Sequence, residues 1–152
     1  MRTVRLAAGP AEIAAAYAVR TEVFVGEQGV PPDLELDDLD DTADHFVAYD
    51  GERVVGAGRL VVEPAGFEGC DADLGPVGHL GRLAVRAETR GTGLGLDLVA
   101  AVENQARERG LRVMVLSAQT HALGFYERLG YAAYGPVFDD AGLPHRWMRR
   151  RL

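Results

Sequence analysis

The chain has 152 residues, 47% apolar and 26% charged, which is enough for one domain with a substantial core and ordinary for a soluble globular protein. Its net charge of −7 excludes a nonspecific nucleic-acid binder, which needs a basic surface to neutralise phosphates, and favours a cationic partner. One cysteine, Cys70, allows no internal disulfide and points to a reducing cytoplasm; its neighbours Gly69 and Asp71 give no sign of an activated thiolate. No run of about 18 apolar residues is present to span a bilayer, and the first residues carry no secretory signal pattern.

Residues 3–7 suit a first strand. Gly9-Pro10-Ala11-Glu12 opens a helix, with proline in the first turn where its missing amide is harmless. Ile13, Ala16, Tyr17 and Arg20 continue it at helical spacing, and Gly26, Gly29 and Pro31-Pro32 are expected to break it. Glu35, Asp37, Asp38, Asp40, Asp41 and Asp44 form an acidic run that reads either as a solvated loop or as a rim for an amine acceptor. Residues 45–49 and 53–62 flank Asp50-Gly51, which predicts a hairpin closed by a type I′ turn with two positive φ angles. Gly56 and Gly58 inside the second strand imply a bulge or a close backbone approach. Residues 63–78, rich in Gly, Asp and Pro, read as a mobile loop.

The informative stretch follows. Leu83-Ala84-Val85 is a short apolar run suited to a buried strand. Gly91, Gly93 and Gly95 then alternate, and from Leu94 the period changes: Leu94, Leu98 and Val102 share one helical face. Such a bend captures anions. The first amides of a helix lack internal partners, the macrodipole adds partial positive charge, and glycine lets a phosphate approach the backbone. Arg90 adds forked donors. A pyrophosphate is the natural ligand. The spacing is neither a Walker loop, since Leu96-Asp97 follows Gly95, nor the Rossmann Gly-x-Gly-x-x-Gly. The helix stops at Arg109-Gly110, residues 111–116 form a strand parallel to 83–85, and a short helix runs from Ala122 to Leu129. Residues 131–134 and 146–152 form two last strands, joined by a loop through Asp139 to Pro144, and these terminal strands offer edges for a homodimer.

Arg90-x-x-Gly93-x-Gly95 resembles the pyrophosphate loop of the GNAT N-acetyltransferases. Phe125-Tyr126-Glu127-Arg128-Leu129-Gly130-Tyr131 resembles that family's second hallmark, about 30 residues downstream. Val23-Phe24-Val25-x-Glu27-Gln28-x-Val30-Pro31, the acidic run up to Asp44-His45, and Gly142-Leu143-Pro144-His145 resemble the ElaA-type branch of small bacterial acetyltransferases. The resemblance spans nearly the whole chain. It implies one domain over residues 1–152, of α/β class with the GNAT acyl-CoA N-acyltransferase fold: a central mixed sheet whose parallel strands splay apart, flanked by helices. It also implies transfer of an acetyl group from acetyl-CoA to an amine of a small molecule or peptide. The competing readings are a non-catalytic coenzyme A-binding regulator and, on the motif spacing least favoured, a nucleotide-binding α/β domain.

The same resemblance implies roles for single residues. Leu83, Ala84 and Val85 offer backbone groups to the pantetheine arm and to the thioester carbonyl. Arg90, Gly91, Thr92, Gly93, Leu94 and Gly95 take the diphosphate. Phe125 and Tyr126 belong to the cofactor motif, and Tyr126 is the candidate general acid for the leaving thiolate. An asparagine common in the family is missing; Gln119 or His121 stands in its place. For the general base there are two candidates, His79, which shares strand parity with Gly81, Leu83 and Val85, and Glu27, in the loop expected to wall the acceptor pocket. Gln28, Arg82, His45 and His145 either line that pocket or lock loops. No histidine pair has metal-ligand spacing, so no metal is expected.

Overall fold

A computed structural model describes every residue from Met1 to Leu152. It is of mixed α/β class, with seven strands in a mixed sheet and helices flanking it, as expected. The chain divides into two compact units: Met1–Val61 with Leu80–Gln105, and Val62–His79 with Ala106–Leu152. No helix is long and apolar enough to cross a membrane.

In the first unit, strands β1 (Arg2–Leu6), β2 (Asp44–Asp50), β3 (Arg53–Glu63) and β4 (Val77–Val85) lie side by side in that order. β1 and β2 are antiparallel from Arg2↔Asp50 to Leu6↔Phe46, and β2 and β3 from Asp44↔Leu60 to Asp50↔Arg53. The register shift after Ala48 is the expected bulge. The hairpin turn differs from expectation. Asp50 pairs with Arg53, so Gly51-Glu52 are its central residues, and only Gly51 (φ +63°) lies in the left-handed region. That is the form with glycine at the first central position, not the type I′ turn. Gly56 is a close approach as well: a Cβ there would stand 3.0 Å from Ala48 Cβ and 3.1 Å from Leu98 Cδ1.

Helix α1 (Gly9–Arg20) has its proline in the first turn and buries Ala16 and Val19 against Val47, Ala57 and Ala84. Gly26 does not break it. The chain continues as a π-helical segment over Thr21–Glu27, in which the Gln28 amide reaches the Val23 carbonyl five residues back. The stop falls at Gly29 (φ +72°) and the prolines. A wider turn tolerates glycine because the wound backbone stays hydrogen-bonded. Helix α2 is one short turn, Pro32–Glu35. Helix α3 (Leu94–Glu108) buries Leu94, Leu98, Val99 and Val102 on the predicted face.

In the second unit the order is β4, β5 (Val113–Gln119), β7 (Leu143–Arg151), β6 (Ala132–Asp140). β4 and β5 are parallel, and their ladder consists of Gly78↔Met114 and His79↔Val115. β7 is antiparallel to both β5 and β6. The terminal strand is therefore paired on both sides, and only β6 presents an edge here. Residues 139–144, expected as a loop, are mostly strand: the turn is Ala141-Gly142, with φ of +53° and +80°. The expected mobile loop of residues 63–78 is anchored. It carries two short 3₁₀ turns, Phe67–Gly69 and Ala72–Leu74, and buries Cys70 and Val77 against Val113 and Val115, with Phe67 and Leu74 packed alongside. Burial raises the Cys70 thiol pKa, as expected of an inert cysteine.

Candidate active site

The strand-to-helix turn lies in the first unit. Gly91 (φ +77°) and Gly93 (φ +90°) adopt backbone that L side chains avoid, and a Cβ on Gly91 would meet nothing within 4 Å. The turn thus has open space before it and the unpartnered first amides of α3 behind it. Its underside is pinned. Thr92 Oγ1 donates to the Thr89 carbonyl (2.6 Å), Thr89 Oγ1 to the Arg86 carbonyl (3.0 Å), and the Arg2 guanidinium to the Thr92 carbonyl. Leu94 is buried at 1% exposure and Ala84 at 3%, so these two offer a ligand only their backbone. Gly95 opens the helix, and Leu83 and Val85 are partly buried on β4.

Arg90 is held from two sides, donating to the Val85 carbonyl (2.9 Å) and pairing with Glu27 Oε1 (2.6 Å). One proposed anion ligand and one proposed base are therefore partners of each other. Arg86 pairs with Glu22, and Arg82 donates to the carbonyls of Glu35 (3.0 Å) and Leu34 (3.2 Å) and to Asp37 (3.3 Å). Arginines at 82, 86 and 90 thus tie β4 and the turn to residues 22–37. Arg82 itself has φ +51° in the middle of β4. Such a residue costs on the order of 1 kcal/mol and persists when its surroundings hold it, as these three acceptors do. Along β4, His79, Gly81, Leu83 and Val85 are partly buried while Leu80 and Ala84 are buried.

The acidic run is a solvated loop only in part. Glu35 (2% exposed) and Asp40 (7%) are buried with Arg20 (1%) and Arg59 (3%). Arg20 donates to Glu35 Oε1 at 2.7 Å and to both Asp40 oxygens at 2.7 and 3.0 Å; Arg59 donates to Asp40 at 2.9 Å and to Asp37 at 2.7 Å. Burial alone would raise the Asp40 carboxyl, but Arg20, the Asp37 amide and Arg59 hold it well below the usual carboxylate range. Asp37, Asp38 and Asp41 are exposed, and of these Asp37 is still engaged by Arg59 and Arg82. Sequence reasoning missed this network because Arg20 and Arg59 lie far from the run in the chain. His45 belongs to it as a loop lock: Nε2 sits 2.9 Å from the Asp40 carbonyl and the ring meets Tyr17 edge-on.

The second unit holds the remaining candidates. Tyr126 lies on α4 (Leu123–Glu127), 9% exposed, edge-to-face with Phe125 and Tyr131. Burial alone pushes its phenol pKa up to about 12, so the hydroxyl keeps its proton at neutral pH. Gln119 ends β5, and its Oε1 lies 2.8 Å from His121 Nε2, so the two alternatives for the missing asparagine are hydrogen-bonded together. His145 Nδ1 is 2.8 Å from the Leu143 carbonyl. His79 is partly buried in β4, its Nδ1 3.5 Å from Glu63 Oε1. Its ring contacts Phe67 and Trp147, neither of which stands out in the sequence motifs. Trp147, the one tryptophan and two residues from His145 on a strand, was the available signal.

A family model described as "Acetyltransferase (GNAT) domain" matches residues 13–152. The chain is 38% identical over 136 residues to the uncharacterized N-acetyltransferase YjcF of Bacillus subtilis, covering 89% of each. It is 29% identical over 143 residues to Protein ElaA of Escherichia coli, covering 93% of this chain and 88% of that one. Among solved structures, an acyl-CoA N-acyltransferase from Pseudomonas aeruginosa matches with a TM-score of 0.79 at 31% identity, covering 99% of this chain and 98% of the other. The family match takes in the glycine turn, β5 and the Tyr126 helix alike, and the chain belongs to the GNAT acetyltransferase family of acyl-CoA-dependent transferases.

Proposed function

We propose that residues 1–152 work as one N-acetyltransferase domain, moving the acetyl group of acetyl-CoA directly to an amine of a small molecule or peptide. The observation that carries this reading is the turn at the head of α3, with two positive-φ glycines, open space before Gly91, and Arg90 beside them. Its amides and Arg90 hold the diphosphate, for which Arg90 exchanges Glu27. Backbone groups of Leu83 to Val85 align the pantetheine arm, with Gln119 and Phe125 completing the contacts. Acetyl-CoA supplies an activated thioester; the protein supplies position and protons.

His79 takes the proton of the acceptor ammonium. It is favoured over Glu27 because the Glu27 carboxylate is engaged by Arg90 at 2.6 Å. Tyr126 gives its proton to the departing thiolate, a task suited to a phenol that burial keeps protonated. The net charge of −7 supports a cationic acceptor rather than a nucleic acid. Composition and the single cysteine support a metal-free cytoplasmic enzyme. The test is release of free thiol from acetyl-CoA across a panel of amines, with the product mass measured. Acetylated product supports the reading; tight coenzyme A binding without turnover on any amine overturns it in favour of a regulatory module. His79→Ala should lose the acidic limb of the pH–rate profile while Glu27→Ala keeps it.

A further inference from the structure

The second unit carries a row of rings that leads to His79. The Phe67, His79 and Trp147 rings are in mutual contact, with centroids 5.4 Å (Phe67–His79), 5.9 Å (Phe67–Trp147) and 5.7 Å (His79–Trp147) apart. Trp147 stacks on Phe138 at 5.7 Å and 25°, and Phe138 on His145 at 6.0 Å and 28°. All five side chains are partly buried, so each keeps some surface in reach of solvent. The wall is assembled from four places: the 3₁₀ turn at Phe67, β4, β6 and β7. Its rigidity follows from that, because Phe67 and Trp147 both pack on the core of Cys70, Val77, Val113 and Val115. A carboxylate stands at the His79 end: Glu63 Oε1 is 3.5 Å from Nδ1, and its side chain is 14% exposed.

We infer that this wall is the acceptor subsite and that its ligand is a primary amine on a flat, aromatic body, an arylalkylamine in the simplest case. The inference rests on the transferase reading above. The chemistry of the two ends differs. Glu63 attracts the ammonium, and the imidazole of His79 takes one proton from it. The freed nitrogen lone pair forms the bond to the acetyl carbon as the carbon–sulfur bond breaks, the thiolate takes the Tyr126 proton, and the second proton, shed by the nitrogen as the amide forms, returns through solvent to the Tyr126 phenolate. Glu63 then balances the charge of the imidazolium, which makes it a positioning residue. The rings of Trp147 and Phe138 face the organic body, where stacking favours a planar group over a flexible chain of equal apolar area. The groups around His79 are Glu63 from β3, Phe67 from the turn, and Trp147 and Arg149 from β7. Arg149 is one strand further on, through His79↔Val115↔Arg149. It is turned to Tyr134, 4.1 Å from the ring centroid, and donates to the Gly69 carbonyl.

The experiment is steady-state thiol release with phenethylamine, hexylamine and spermidine. The expected kcat/KM for phenethylamine exceeds that for hexylamine by about fivefold, the discrimination one aromatic contact supports. Trp147→Leu should bring that ratio to about one through KM, and Trp147→Phe should keep most of it. Glu63→Gln should lower kcat and move the acidic limb of kcat/KM down by about one pH unit, since the imidazolium loses its stabilising charge; Glu63→Asp should restore part of the shift. Coenzyme A affinity of each variant, measured by calorimetry, reports that the fold is intact. A native ratio near one, a preference for spermidine, a ratio unmoved in Trp147→Leu, or an unmoved limb in Glu63→Gln overturns the inference. Acetylation of all three amines without ring preference sinks this subsite alone. Coenzyme A binding with no turnover on any amine sinks the transferase reading beneath it.

Discussion

Replacing Asp40 by Asn tests whether the acidic run is structural. Asp40 accepts four hydrogen bonds, from Arg20 Nη1 (2.7 Å) and Nη2 (3.0 Å), from Arg59 Nη1 (2.9 Å) and from the Asp37 amide (3.0 Å). Both guanidiniums are almost fully buried, and Arg59 Nε has no hydrogen-bond partner at all. Asparagine removes the charge that compensates them and presents an N–H where an acceptor is needed. Breaking a buried pair by removing one partner costs roughly 3–5 kcal/mol, because the remaining charge stays desolvated. In a chain of this size that corresponds to a Tm about 10 °C lower. The pH dependence has a definite sign. The Asp40 pKa is depressed in the folded state, so its contribution is present above the unfolded value of 3.8 and is lost as pH falls toward the folded value. Thermal melts of the native protein and Asp40→Asn should therefore differ most at neutral pH and converge below about pH 4. A difference under about 2 °C at pH 7, or one that grows on acidification, would refute the reasoning.

Four further outcomes are expected. Tyr126→Phe should lower kcat about 100-fold with coenzyme A affinity little changed, and since the phenol titrates near about 12, native kcat should show no loss from this group below about pH 11. Gly93→Ala forces a Cβ onto φ +90° and should weaken coenzyme A binding about tenfold by calorimetry, with about 1–2 kcal/mol lost in denaturant melts. Gly56→Ala pushes a Cβ to 3.0 Å from Ala48 and 3.1 Å from Leu98; overpacking of about 1–3 kcal/mol should appear in the melting curve while coenzyme A affinity is kept. Arg90→Gln should raise the Kd for coenzyme A about tenfold, whereas Glu27→Gln, which releases Arg90, should lower it about threefold, and equal shifts of the same sign would contradict competition for that guanidinium.

Local chemistry makes several elements legible in the amino-acid order alone. The glycine turn at the head of α3 rests on glycine's access to positive φ and on the amides of a helix start, both properties of consecutive residues, and the face of Leu94, Leu98 and Val102 follows from helical period. The bulge and close approach near Gly56 follow from missing side chains inside a strand. Expectation and fold part where the outcome depends on a distant partner. Gly26 suggests a break because propensity is local, yet the backbone continues as a wider turn. The Asp50-Gly51 pair suggests one turn, and the register of the strands moves the centre by one residue. Residues 63–78 have the composition of a loose loop, but Phe67 and Cys70 find their contacts on strands far along the chain.

The sequence by itself determined the class of fold and the glycine turn, since both follow from short-range pattern: backbone freedom, periodicity and the order of elements. Only the tertiary structure decided what the charges and rings do. Arg20 and Arg59 reach Asp40 across 20 and 19 residues, and Glu63, Phe67, His79 and Trp147 meet although Trp147 lies far along the chain from the other three. Whether an acid is solvated or buried, and whether a histidine has a carboxylate or a ring beside it, depends on which distant segments pack together, and that is a property of the folded chain.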